Sequence, residues 1–183
     1  MKELEMPDDS LGKLVLNEIK ERFREQKRWA EKAAVQVNDE DLRKALHPES
    51  NSIAVIMKHM SGNLVSRFTD FLTTDGEKPD RHRDNEFIDD FGSRNELLDY
   101  WERGWRCLFE TLEGLTPDDL EKMVTIRGEP HSVIKALHRS VAHLAYHVGQ
   151  IVLIARIHAG KSWKVITIPR GGSKEYNRRV WQR

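Results

Sequence analysis

Apolar side chains recur at three- and four-residue steps in four separate stretches of the chain, the period of a helix that buries one face. The first stretch runs from Leu11 to Val37, where Leu11, Leu14, Val15, Ile19, Phe23 and Ala30 form a stripe opposite a face of Lys, Arg and Glu. Asp8, Asp9 and Ser10 stand before it and offer capping oxygens and negative charge to the helix dipole. The second covers residues 52–73 behind the caps Asn51 and Ser52, with Ile53, Ile56, Met57, Met60, Leu64, Phe68 and Phe71 in step. The third covers residues 94–114. Ser93 and Glu96 have capping-box spacing, and Leu97 or Leu98, Trp101, Trp105, Leu108, Leu112 and Leu115 make a seam to pack along neighbours. Gly104 is a weak point in that seam, costing about 1 kcal/mol relative to alanine. The fourth stretch covers residues 131–158 and stops at Gly160. Its middle, Val141 to Ala155, is apolar on nearly every side, which predicts the most buried helix of the four.

Between the second and third stretches lies TDGEKPDRHRDNEFIDDFG, too dense in Asp, Gly, Pro and Arg to continue a helix. It suits a long surface crossover, long enough for the helices on either side to lie parallel. Met123 to Arg127, closed by Gly128, reads as a short extended piece, and KVITIP followed by RGGS reads as an extended arm and tail over residues 160–183. These elements predict an all-α protein, one domain over residues 1–183. Its architecture is a four-helix bundle with a long crossover between helices 2 and 3 and a C-terminal extended arm.

The chain has 183 residues, with 30 Lys plus Arg against 30 Asp plus Glu, a formal net charge of zero. That balance argues against a surface built throughout for nucleic acid. The tail from Lys164 onward is basic and carries Trp163, Tyr176 and Trp181, a pattern that suits single strands, but a solvated tail or an arm packed on the bundle explains it as well. The single cysteine, Cys107, excludes an internal disulfide and reads as a small core residue. The longest stretch free of Asp, Glu, Lys and Arg, Ser140 to Ala155, is shorter than the about 20 residues of a membrane span. The opening MKELEMPDDS lacks the apolar middle of a secretion signal. The expectation is a cytoplasmic protein without a membrane segment.

Eight histidines raise the question of a metal. His143 and His147 stand one helical turn apart, within the most apolar stretch of the chain. A buried imidazole needs a partner for each ring nitrogen, and one cation serves two rings at once. The pair alone fits hydrogen-bonded core histidines equally well. His59 shifts the balance, because it sits mid-helix between Ile56 and Met60 where it can face a bundle interior. His47 and His82 lie in polar links and read as solvated; His131 and His138 read as cap or surface residues. His158 shares the stripe of His143 and His147 but lies about 16 Å further along the axis. Three imidazoles leave an open position for water or substrate, and suit zinc, nickel, iron or copper. Asn63 and Gln150, at i+4 from His59 and i+3 from His147, can orient a ligand or substrate, and Tyr146 reads as packing. No Asp or Glu lies on the two histidine stripes, so a general base must be metal-bound hydroxide or come from another segment.

KHMSGN around His59 and HLAYHVGQI around His143 and His147 resemble the metal-binding motifs of the DinB/YfiT-like superfamily. SIAVIMKHMSGN, RFTDFLTTDGEKP, VTIRGEPHSV and YHVGQIVLIAR further resemble a branch of it classed as a domain of unknown function. The resemblance implies an up-down-down-up four-helix bundle, commonly a homodimer, with a divalent metal, zinc or nickel first, on His59, His143 and His147. Better-understood members of that superfamily act with low-molecular-weight thiols, whose thiolate a divalent ion stabilises. The resemblance thus implies a metal-dependent enzyme of thiol-dependent S-transferase or hydrolase type, acting on a small-molecule substrate. The alternative is a non-catalytic metal-binding or stress-response module in which the ion ties two helices together.

Overall fold

The computed structural model describes residues 10–181, so the expected caps Asp8 and Asp9 lie outside the described residues. In chain order the elements are α1 (Leu11–Ala34), α2 (Asp39–Arg43), α3 (Ile53–Phe68), α4 (Arg94–Gly114), β1 (Met123–Ile126), β2 (Glu129–Ser132), α5 (Val133–Ala159) and α6 (Ser173–Trp181). Short 3-10 turns lie within the crossover at Arg83–Phe87 and before β1 at Pro117–Glu121. The chain is mostly helical, with one two-stranded hairpin among the described residues. α3 packs chiefly on α4, and α1 on α5, while α3 and α5 also meet.

Caps set the helix starts, at Ser10, Ser52 and Ser93 as the sequence predicts and at Ser132 besides. Ser10, Ser52, Ser93 and Ser132 each accept a backbone N–H from three residues on, at the head of α1, α3, α4 and α5. The Glu96 carboxylate reaches back to the Gly92 N–H at 2.8 Å, one residue before the position a full capping box requires. α4 has the predicted bounds. α1 ends at Ala34, and the short α2, capped by Asn38, follows it. α2 has only Leu42 buried, too little for an apolar period to reveal.

α3 ends at Phe68 rather than at Thr73. Thr69 turns extended and Asp70 adopts a left-handed φ of 48°, so its carbonyl accepts the Thr73 and Thr74 N–H groups in a turn. Phe71 still packs beside Phe68, ring centroids 5.3 Å apart, which is why the apolar pattern outruns the helix. α3, not α5, is the most buried helix: every residue but Val65 is buried, Lys58, Asn63 and Arg67 included. It is covered by α4, by α5 and by the turn at Arg83–Phe87. α5 buries one face, with Leu137, Leu144, Val148 and Ile151 in the core, and leaves Tyr146, Leu153 and Ile157 exposed. By length and composition the helical stretch Val133–Ser162 also suits a membrane span, a property that core helices share.

Gly104 is no weak point. A Cβ there would lie 2.7 Å from the Ser61 Cα, so the missing side chain is what lets α4 close on α3. The Ser61 hydroxyl, in turn, donates to the Tyr100 carbonyl at 2.5 Å.

The extended piece at Met123 becomes β1, paired antiparallel with β2 in the register Met123↔Ser132 to Ile126↔Glu129. Arg127 (φ 57°) and Gly128 (φ 75°) form the two-residue turn, both left-handed as such hairpins require. β2 takes the first two residues of the predicted fourth helix, so His131 is a buried strand residue and not a cap or surface one. Asp75 ties the hairpin to the crossover, accepting the N–H groups of Arg127 and Gly128 at 2.8 Å each and that of Glu77 at 2.7 Å.

After α5, Lys164 and Gln36 exchange two hydrogen bonds that hold the arm against α1. KVITIP forms no strand, and the tail beyond it closes as α6, none of whose residues is buried.

Candidate metal centre

The packing of α3 on α5 brings three imidazoles together. His143 Nε2 stands 3.1 Å from His147 Nε2 and 3.4 Å from His59 Nε2, and one nitrogen from each ring lies within 4.8 Å of the others. Nitrogens held about 2.0–2.1 Å from a tetrahedral ion are roughly 3.3–3.4 Å apart, close to the two separations that His143 makes.

Hydrogen bonds on the far side of two rings fix which nitrogen faces inward. His59 Nδ1 lies 2.8 Å from the Glu86 carboxylate, and His147 Nδ1 lies 2.9 Å from the Gln150 Oε1. Both partners are acceptors, so each Nδ1 carries the proton and each Nε2 turns a bare lone pair toward His143. One imidazole cannot donate fully to two lone pairs at once. A cation satisfies all three nitrogens, and among the described residues no carboxylate or thiolate joins them.

Glu86 is 5 % exposed and His59 4 %. Arg81 grips the carboxylate side-on, Nε to Oε1 and Nη2 to Oε2 at 2.8 Å each, and also reaches Glu77. Burial alone would push the Glu86 carboxyl up; the hydrogen bonds from His59 and Arg81 outweigh it and hold it below its ordinary range. The same carboxylate fills the space beside Gly62, where a Cβ would come within 2.8 Å of its Cδ. Phe87 stacks on the outer face of the His59 ring, centroids 4.7 Å apart.

Burial depresses His143 to about 3, helped by its two histidine neighbours and then by the charges of Arg67 and Arg81. Burial also lowers His147, against its hydrogen bond to Gln150. These rings are neutral near pH 7, the state in which imidazole ligates.

Of the sequence-predicted site residues, His59, His143 and His147 converge and Gln150 orients one of them. Asn63 does neither: it is 9 % exposed, faces a cavity beside His59 and His143, and makes no side-chain hydrogen bond to a described residue. Tyr146 is not interior packing, since it is 67 % exposed, with its ring centroid 5.4 Å from that of His147. His47, His82 and His138 are exposed, and His158 donates to the Lys44 carbonyl away from the centre. Cys107 is half-buried near the Thr69 hydroxyl. Glu86 was not visible from sequence, because it comes from the crossover and no helical spacing links it to His59.

Fold and site together define a mostly helical protein with a histidine triad shared between two core helices. The chain belongs to the family described as protein of unknown function (DUF1572), which matches residues 10–172. No curated protein matches it.

Proposed function

We propose that His59, His143 and His147 hold a divalent ion, zinc or nickel, and that the protein is a metal-dependent enzyme acting on a small molecule. The observation that carries this reading is the pair of inward lone pairs on His59 and His147, fixed by Glu86 and Gln150 and meeting a third imidazole at 3.1–3.4 Å. Three protein nitrogens leave a tetrahedral shell one position short, as in catalytic rather than structural sites. When bound, the ion supplies positive charge that favours the deprotonated form of a thiol or water beside it. The chain's own part is to orient the rings through Glu86 and Gln150 and to shield His59 beneath Phe87. Thiol-dependent S-transfer or hydrolysis fits that chemistry, and a DinB-like, up-down-down-up bundle fits the four long helices.

Metal analysis of the purified chain, followed by zinc and nickel titration, tests this. One equivalent per chain, lost in His59→Ala and His147→Ala, is expected; absence of saturable binding overturns the reading. Turnover across thiols, electrophiles and hydrolysable esters then separates an enzyme from the second reading, a non-catalytic module. That second reading rests on the triad joining α3 to α5. We also infer a homodimer, because Tyr146, Leu153 and Ile157 leave an apolar face on α5. A cytoplasmic location accords with the lone cysteine.

A further inference from the structure

Beside the triad lies the cavity that Asn63 faces, a space of about 170 Å³ bordered by His59 and His143. Pockets that take drug-sized ligands run to about 300–1,000 Å³, so this one has room for an end group and not for a whole molecule. Its wall is dominated by five arginines, Arg67, Arg81, Arg83, Arg127 and Arg139. They come from α3, the crossover, the hairpin turn and α5, elements far apart in sequence.

Two carboxylates answer these five guanidiniums. Glu86 is taken by Arg81, and Glu77 is shared among Arg67, Arg81 and Arg127 at 3.1–3.2 Å. Arg83 and Arg139 have no carboxylate partner among the described residues. Arg83 lies over the Phe87 ring at 4.8 Å, and Arg139 approaches only the His131 Nε2 at 3.3 Å. The buried side chains of Asn63 and Ser140 also border the space, and neither hydrogen-bonds to a described residue. Excess positive charge, two guanidiniums that no carboxylate pairs and two polar side chains without a protein hydrogen bond share one small space next to the triad. A guanidinium fork matches an oxyanion in shape as well as in charge.

We infer that this pocket binds an oxyanion, a carboxylate or a phosphate, carried at one end of the small-molecule substrate so that the reacting group reaches the triad. The inference rests on the proposed metal site for the position of the reacting group, but not for the anion subsite itself. The substrate class is therefore a small organic anion. Arg83 and Arg139 supply guanidinium N–H groups that no carboxylate occupies, while Asn63 and Ser140 donate to the remaining oxygens.

Isothermal titration calorimetry tests this, with inorganic phosphate and with acetate at constant ionic strength, on the full chain as purified and after chelator treatment. Saturable binding at one site per chain is expected in both forms. Arg139→Ala and Arg83→Ala should each weaken it about tenfold, with zinc affinity changed less than about twofold. Arg139→Lys, which keeps the charge but loses the fork, should fall between. Tighter phosphate than acetate assigns a phosphoryl group, and the reverse assigns a carboxylate. Absence of saturable binding by both anions, or affinities unchanged in both alanine variants, overturns the inference. If zinc fails to bind while phosphate binding persists and responds to Arg139→Ala, the metal reading falls and the anion subsite stands.

Discussion

The Glu86 carboxylate meets the His59 Nδ1 at 2.8 Å, across 27 residues of chain and from a segment with no helical relation to that ring. It acts on the candidate metal centre from behind, by fixing the tautomer and adding negative charge to the imidazole. Replacing such a partner typically costs a metal site 10–100-fold in affinity. Glu86→Gln retains shape and loses charge, so zinc affinity by competition titration is expected to fall by about that factor. Unchanged affinity would remove Glu86 from the site.

Metal should stabilise the fold, since the triad spans two core helices. At a zinc concentration about 100 times the dissociation constant, linkage gives roughly 2.7 kcal/mol, or a melting rise of about 5–10 °C for a chain of this size. Thermal melts with and without chelator measure it. His143→Ala should abolish the zinc-dependent rise, and a rise that survives the substitution would place the ion elsewhere.

Gly104→Ala separates helix propensity from packing. Propensity alone would gain up to about 1 kcal/mol. The Cβ would instead press on the Ser61 backbone at 2.7 Å, forcing α4 away from α3, and overpacking of this kind costs about 1–3 kcal/mol. Urea unfolding is expected to show a net loss, and any gain in stability would contradict the close approach of the two helices.

Asp75 contributes acid sensitivity where the crossover meets the hairpin. Backbone N–H groups of Glu77 and Gly128, then of Arg127, hold its carboxyl well below the usual carboxylate range. A depressed carboxylate stabilises the folded state fully above its unfolded value, near pH 4, and that contribution fades as the pH falls from there toward the folded value. Asp75→Ala should therefore lose about 2 kcal/mol near pH 7, with the gap to the unmodified chain narrowing below about pH 4. Urea midpoints across that range would read it. A gap independent of pH would mean that the carboxylate charge is not what binds the hairpin.

The sequence revealed what local repetition encodes. Caps and apolar period located α4 to the residue and α1 and α5 to within a few, and Gly128 marked the end of the extended piece that became β1, while its partner β2 went unread. The three histidines were legible because an imidazole inside an apolar stripe conflicts with its surroundings and so stands out. Gln150 was legible by its spacing from His147. Glu86, Arg81 and Asp75 were not, because a crossover acquires burial only when it folds back over α3, and composition alone reads such a segment as solvated. The same long-range contact made α3 the most buried helix despite its Lys58, Asn63 and Arg67. α6 was missed for the opposite reason: it buries nothing, so no apolar period announces it.

Gly62 occupies one turn beyond His59 on α3, and the volume of its absent methyl is taken up by the Glu86 carboxyl group. Any larger residue at 62 would evict that carboxyl group, leaving the imidazole free to exchange its proton between nitrogens. A position that offers no functional group thus decides which nitrogen of a neighbouring ring is nucleophilic, and ordinary alanine there would detune the centre while leaving every one of its histidines in place.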